Sequence, residues 1–460
     1  MLKRFILLIL LSLTLGFFVR HIGMDYRQAL AVSIFSASIL GTLLFWDFRL
    51  SFAFLGAAVL LATRTIDIEN LIRFSSLEVI LFLVGMMVII GLLKDAGFFA
   101  WIVSLIIRAK NLTAKKFVFI ISVISMALAC AVDEVTSIIF IVAAVLEICD
   151  YFEVDPTPYI IISVLATNIG SAGTVLGNPI GILIASKSGL TFEDFILKAF
   201  PLAVFCLLIT VSIILLWYKR SLRHLDMQMK KFSSNEMLIK LVSIPPDRQT
   251  KSALLVFALT LLFLAFSHRL DILLGLETNT ILLITPLVAA GLIMIWKRAK
   301  AREFIEKDVE WWTLLFFLLL FAQAGTLKYT GATDVLARNL AGFAGNSLTI
   351  LISVILWVSA IGSSILDNVV LVVAFIPVIQ SFQSLNLNLH PLWWALLFGG
   401  CFGGNITLVG STANIVALGI VEKEKNIRVT FLTWLGIGLT VGLITTSVAW
   451  LALLFLPFYR

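Results

Sequence analysis

Two apolar stretches of membrane length, 117–149 and 347–383, are each interrupted at the centre by acidic or amide residues, Asp133-Glu134 in the first and Asp367-Asn368 in the second. A charge at mid-membrane costs roughly 2.5 to 3.5 kcal/mol on insertion scales. Broken backbone there is tolerated only inside protein or against water. Each stretch is therefore read as a re-entrant hairpin of two short arms whose tip is functional. Composition agrees with a membrane setting, since 60% of the 460 residues are hydrophobic and 13% are charged.

The feature is stated twice. Glu78, Asp133 and Gly177 recur as Glu310, Asp367 and Gly410, at shifts of 232, 234 and 233 residues. Behind each tip lies an apolar run broken by glycines and amides: Asn168 to Pro179 inside 159–186, and Gly403 to Asn414 inside 391–421. Duplicated halves with interrupted segments at matching places point to a secondary transporter.

Apolar segments at 5–19, 28–46, 50–65, 77–94, 195–218, 252–267, 279–296, 312–327 and 430–457, with the two broken ones, give about eleven spans. The expected fold is an all-α polytopic membrane protein of two inverted repeats plus two hairpins. Residues 1–26 form an extra amino-terminal helix, 27–218 the first repeat, 219–251 a polar cytoplasmic linker and 252–460 the second repeat. The basic start followed by an apolar stretch also suits a signal peptide, but Phe17-Phe18-Val19-Arg20-His21 stands where a small-residue cleavage site is needed, so a retained helix is expected.

The net charge of +7 sits in short connections and reads as a topology signal, not a nucleic-acid surface. Placing Lys219, Arg220, Arg223, Lys230, Lys231, Lys240, Arg248 and Lys251 inside puts the amino terminus inside too. Arg108, Lys110, Lys115 and Lys116 then also lie inside, Glu78 outside and Glu310 inside. The halves are thus inverted, in a cell (inner) membrane, with the carboxy terminus outside. Short amphipathic stretches at Gly97–Arg108 and Thr333–Phe343 suit helices in the interface plane. Ser233-Ser234-Asn235 and Pro245-Pro246 mark the linker as a strap.

Asp133, Glu134 and Asp367 are candidate coupling-ion groups for H⁺ or Na⁺. Thr136 and Ser137 offer hydroxyl oxygens that suit a hard cation, although such residues also bond back to their own helix turn. Asn368 is a ligand or a hairpin cap. Unwound backbone exposes carbonyls, and a new helix start presents N–H groups to an anion. Asn168, Gly170, Ser171, Thr174, Gly177, Asn178, Pro179, Asn405, Thr407, Gly410, Ser411, Thr412 and Asn414 are accordingly the candidate substrate-binding residues. Small-residue helix packing is the alternative for some of the glycines, and pairing with Lys94 or Lys328 the alternative for the acids. No metal site, catalytic residue or organic cofactor is expected.

At these residues the chain resembles the ion transporter superfamily of arsenite permeases, sodium/proton antiporters, the melanosomal P protein and divalent anion/sodium symporters. Val132-Asp133-Glu134-Val135-Thr136 and Leu366-Asp367-Asn368-Val369 look like that superfamily's Leu-Asp-Asn-Val-Thr tips. The resemblance implies eleven spans, two re-entrant hairpins, inverted repeats, a homodimer and an elevator motion, with membrane lipid and a small ion as partners. Glu134 replaces the usual amide and favours proton coupling. Gly177-Asn178-Pro179-Ile180-Gly181 also departs from the usual pattern. The Ser-Asn-Thr tips of the dicarboxylate symporters are missing, which argues against dicarboxylates.

The expectation is a transporter, not an enzyme, moving a small inorganic ion, oxyanion or metalloid. Sodium/proton exchange is the alternative. An intramembrane aspartyl protease is a remote one, because neither Asp lies in a Gly-x-Gly-Asp or Tyr-Asp setting. Cys130 and Cys401 leave a thiol-based arsenite site open, although apolar cysteines are usually small core residues.

Overall fold

Capping chemistry written into the connections sets where the helices begin in the computed structural model, which describes residues 1–107, 112–232, 247–345, 347–385 and 387–459. After α1 (Leu2–His21), Asp25 and Gln28 form a reciprocal capping box that opens α2 (Tyr26–Leu44). Then come α3 (Arg49–Ala62) and α4 (Ile68–Phe74), the latter capped by Asp67. The long α5 (Leu77–Asp95) and short α6 (Phe98–Ile107) precede the first hairpin. That hairpin is α7 (Ala114–Ala131) and α8 (Glu134–Tyr151), and it leads into α9 (Thr157–Ser171), α10 (Pro179–Ser188) and α11 (Phe192–Trp217).

The second half runs through α12 (Lys219–Phe232), α13 (Arg248–Ala265), α14 (Ser267–Leu274) and α15 (Thr280–Trp296) to α16 (Trp311–Tyr329) and α17 (Ala332–Phe343). Its hairpin is α18 (Leu348–Ile365) and α19 (Asn368–Ser381), followed by α20 (His390–Gly403), α21 (Thr412–Lys425) and α22 (Phe431–Phe455). Among the described residues there is no strand. Ten helices there are long and apolar enough to cross a membrane, counting three of the four hairpin arms.

All the expected spans are helical, and 159–186 and 391–421 are broken as expected. The hairpin arms are not short: three of them have 18 residues, about 27 Å of rise each. The linker is also more than a polar strap. Lys219–Phe232 is a helix that buries Leu222, Leu225 and Met229, at spacings of three and four, and Asp226 Oδ1 accepts the N–H of Ala114 at 2.6 Å. Ser233 to Asn235, Lys240, Pro245, Pro246, Arg108 and Lys110 lie outside the described residues.

The core sits where function was expected. Residues 158–171 of α9 and 391–403 of α20 are buried on every side, as only a central helix can be. Helix α9 packs on both arms of the first hairpin, and α20 on both arms of the second.

Candidate functional site

Each hairpin turns on an aspartate that caps the arm it opens. Asp133 Oδ1 accepts the backbone N–H groups of Val135 at 2.8 Å and Thr136 at 2.9 Å. Asp367 Oδ1 accepts that of Val369 at 3.1 Å, while its Oδ2 accepts the Thr412 hydroxyl at 2.5 Å. The second tip is thereby tied to the start of α21, whereas Pro179 opens α10 in the first half and has no hydroxyl to offer. Thr136 is half-buried beside Asp133, and the Ser137 hydroxyl donates to the carbonyl of Asp133. Ser137 thus follows the ordinary helix habit.

The two tips meet. Asn368 Nδ2 lies 3.4 Å from Glu134 Oε1, a long hydrogen bond between equivalent positions of the two halves. Glu134 is 2% exposed, and its Oε2 has no hydrogen-bond partner among the described residues. The Ser171 hydroxyl stands within reach of that carboxyl but donates to the Asn168 carbonyl at 3.0 Å, and the charge of Asp367 is felt there. A buried, unpartnered carboxylate oxygen is an expensive feature, and it sits where two helix starts and two tips converge.

The breaks, 172–178 and 404–411, are joined by a buried amide network. Asn168 Nδ2 donates to Asn405 Oδ1 at 2.9 Å and to Asn414 Oδ1 at 2.8 Å, and its Oδ1 accepts the Ser411 hydroxyl at 3.1 Å. Asn414 Nδ2 holds the carbonyls of Gly404 and Thr407, both at 2.9 Å. Asn178 caps α10 through Gly181 N–H at 3.0 Å and donates to Ser171 Oγ at 3.0 Å and Cys401 Sγ at 3.3 Å. Asn405 Nδ2 is buried without a partner among the described residues. One unpartnered acceptor and one unpartnered donor are therefore available at the centre.

Several expected ligands turn out to shape the site. Thr174 Oγ1 donates to the carbonyl of Cys130 and Thr407 Oγ1 to that of Ser364, tying each break to its own hairpin. A Cβ on Gly170 would collide with the Met126 backbone and one on Gly403 with that of Ala360. A Cβ on Gly177 would strike the Ser171 carbonyl, and one on Gly410 that of Gly404. All these contacts repeat at shifts of 233 or 234 residues, so the duplication read from sequence is also a duplication of contacts.

Among the described residues the candidate acids make no ion pair with lysine. Lys94 binds Asp308 at 3.0 Å and Lys328 binds Gln380 at 3.0 Å. Instead Arg49, at the start of α3, donates to Thr313 at 3.3 Å, and Thr313 lies 3.3 Å from Glu310. Arg49 is close enough to Asp367 for its charge to be felt there. Cys130 lies against the carbonyl of Gly170 and Cys401 against Asn178. Sequence reasoning missed Arg49 and also Trp434, whose Nε1 donates to the Asn405 carbonyl at 3.1 Å. Trp434 sits in an unbroken apolar run that gave no sign of this contact.

Comparison with known proteins places this chain among transporters. A family model described as a citrate transporter matches residues 42–399. An uncharacterized transporter of Mycobacterium tuberculosis is 31% identical over 355 residues, covering 75% of this chain and 79% of its own length. The human P protein is 26% identical over 444 residues, with 81% of this chain and 53% of the P protein covered. The crystal structure of the YdaH transporter of Alcanivorax borkumensis superimposes with a TM-score of 0.55 at 14% identity, covering 84% of this chain and 86% of that one, which is a likeness of fold.

Proposed function

The chain belongs to the citrate transporter family, and on that premise we propose that it is a secondary active transporter of a small anion, a carboxylate or oxyanion, coupled to H⁺ at the Glu134–Asp367 centre. The observation that carries the reading is the buried Glu134 Oε2 without a partner, where the two tips meet. A proton or a hard cation there supplies the partner that the protein withholds. An anion would use the other half of the same centre, the starts of α10 and α21 behind Asn178 and Ser411, where helix ends present positive dipoles.

The family description brings carboxylates back into consideration, although the tips lack the Ser-Asn-Thr of the dicarboxylate symporters. In this reading the two hairpins and two broken helices move as one unit against α2 to α5 and α13 to α16, by an elevator-type exchange of access. The two halves run in opposite senses through a cell membrane, with the amino terminus inside, and two chains pair.

Sodium/proton exchange remains a second reading, because the bonded Asp367 carboxyl and Thr412 hydroxyl, and the unpartnered Glu134 Oε2 that feels the charge of Asp367, offer hard oxygens suited to Na⁺. Proteoliposomes with an internal pH dye separate the two. Under a fixed proton gradient, a pH response that requires citrate or sulfate supports the anion reading, a response to Na⁺ or Li⁺ alone replaces it with cation exchange, and a wild type that moves no proton with any of them overturns both.

A further inference from the structure

A cavity lies away from the centre. It has a volume of about 210 Å³ and is walled by Leu183 of α10 and Phe321 of α16, with Arg73 of α4, Lys187 of α10, Lys328 of α16 and Gln380 of α19 around it. Leu183 stands five residues beyond Asn178, and the cavity-lining Val373 five residues beyond Asn368, about 7.5 Å of helix rise in each case. The cavity therefore flanks α10 and α19, two of the helices that start at the centre.

Its charges do not balance. Lys187 is paired with Glu78 at 2.9 Å, but Arg73 makes no hydrogen bond or ion pair with a described residue. Lys328 donates to a neutral amide, Gln380, with Asp334 as its nearby opposite charge on α17. Gln380 accepts through Oε1, which leaves its NH₂ available as a donor. Three cations thus line a concave, apolar-walled space with two carboxylates nearby, Glu78 and Asp334, and the excess of positive charge focuses positive potential and concentrates anions. At roughly 30 Å³ per water the space holds about seven waters, the bulk of a small carboxylate or oxyanion. A guanidinium suits the planar fork of such groups.

We propose that this cavity is an anion-binding vestibule, in which Arg73 and Lys328 with the amide of Gln380 capture a carboxylate or oxyanion before it reaches the centre. The delivery role rests on the transporter reading, whereas the binding is tested apart from it.

The full chain in nanodiscs of zwitterionic lipid is titrated calorimetrically with citrate and with sulfate at low and high ionic strength. Wild type should bind at low ionic strength and lose affinity as salt screens the cluster. Arg73→Gln with Lys328→Gln should bind at least about tenfold more weakly, the weight of one or two charge-assisted hydrogen bonds. Arg73→Lys with Lys328→Arg should keep the binding. The single change Arg73→Gln, at an exposed position, gives an intermediate loss and serves if the double variant does not fold. Wild-type affinity in the charge-removed variants, or no binding of either anion by wild type at low ionic strength, overturns the vestibule. If the transporter reading alone is wrong, anion binding persists while no proton moves in liposomes.

Discussion

The amide of Asn368 reaches the carboxylate of Glu134 across 3.4 Å, although 234 residues separate them and they hold the same place in the two halves of the chain. A contact between equivalent positions lies where the two halves face each other, so the one acid that breaks the equivalence of the tips is at the shared centre.

Glu134→Gln keeps a hydrogen-bonding partner for Asn368 and removes the charge. It should abolish solute-dependent proton movement and leave solute exchange under no gradient measurable. Proton flux from a pH dye and counterflow of labelled solute, on the same vesicles, check this. Full retained proton coupling would remove Glu134 from the role.

Asp367 Oδ2 has the Thr412 hydroxyl as its partner at 2.5 Å. Thr412→Val leaves that oxygen unpaired at a cost of about 1–3 kcal/mol, so the solute concentration for half-maximal transport should rise about tenfold or the rate fall comparably. Thr412→Ser should stay near wild type. Kinetics of the two variants side by side decide it.

Asn168, on α9 of the first half, holds the break of the second half through Asn405, Asn414 and Ser411. Asn168→Asp exchanges its two donated protons for acceptors facing the carbonyl oxygens of Asn405 and Asn414. It should destabilise the chain more than Asn168→Ala, with a lower melting temperature in detergent. Equal melting temperatures for wild type and the Asp variant would contradict the network.

Gly403 lies against the backbone of Ala360. Gly403→Ala forces α18 and α20 apart and should cost about 1–3 kcal/mol, visible as a lower melting temperature. Gly291 faces open space where an added methyl would meet no neighbour, and should accept Ala without loss. Equal behaviour of the two variants would show that close approach is not required.

Much of this architecture is legible in the residues themselves. The tips at Asp133 and Asp367, the breaks after Ser171 and Gly403 and the helix starts at Asn178 and Ser411 are local matters of capping, glycine and apolar length. Helix α12 was less legible, because basic residues dominate Lys219–Phe232 and its apolar side is only Leu222, Leu225 and Met229. The roles of Thr174 and Thr407 were hidden for another reason: a hydroxyl has the same composition signal whether it faces a solute or a neighbouring carbonyl.

By itself the sequence determined a duplicated helical membrane chain with acids at two tips and unwound segments behind them, since these follow from periodicity, hydropathy and the shifts of 232 to 234 residues. Only the tertiary structure decided which oxygen is unpartnered, which cations lack a carboxylate and that Glu134 meets Asn368. Those facts depend on the distance between groups hundreds of residues apart, and hydrogen bonds and charges act through distance in space, not separation along the chain.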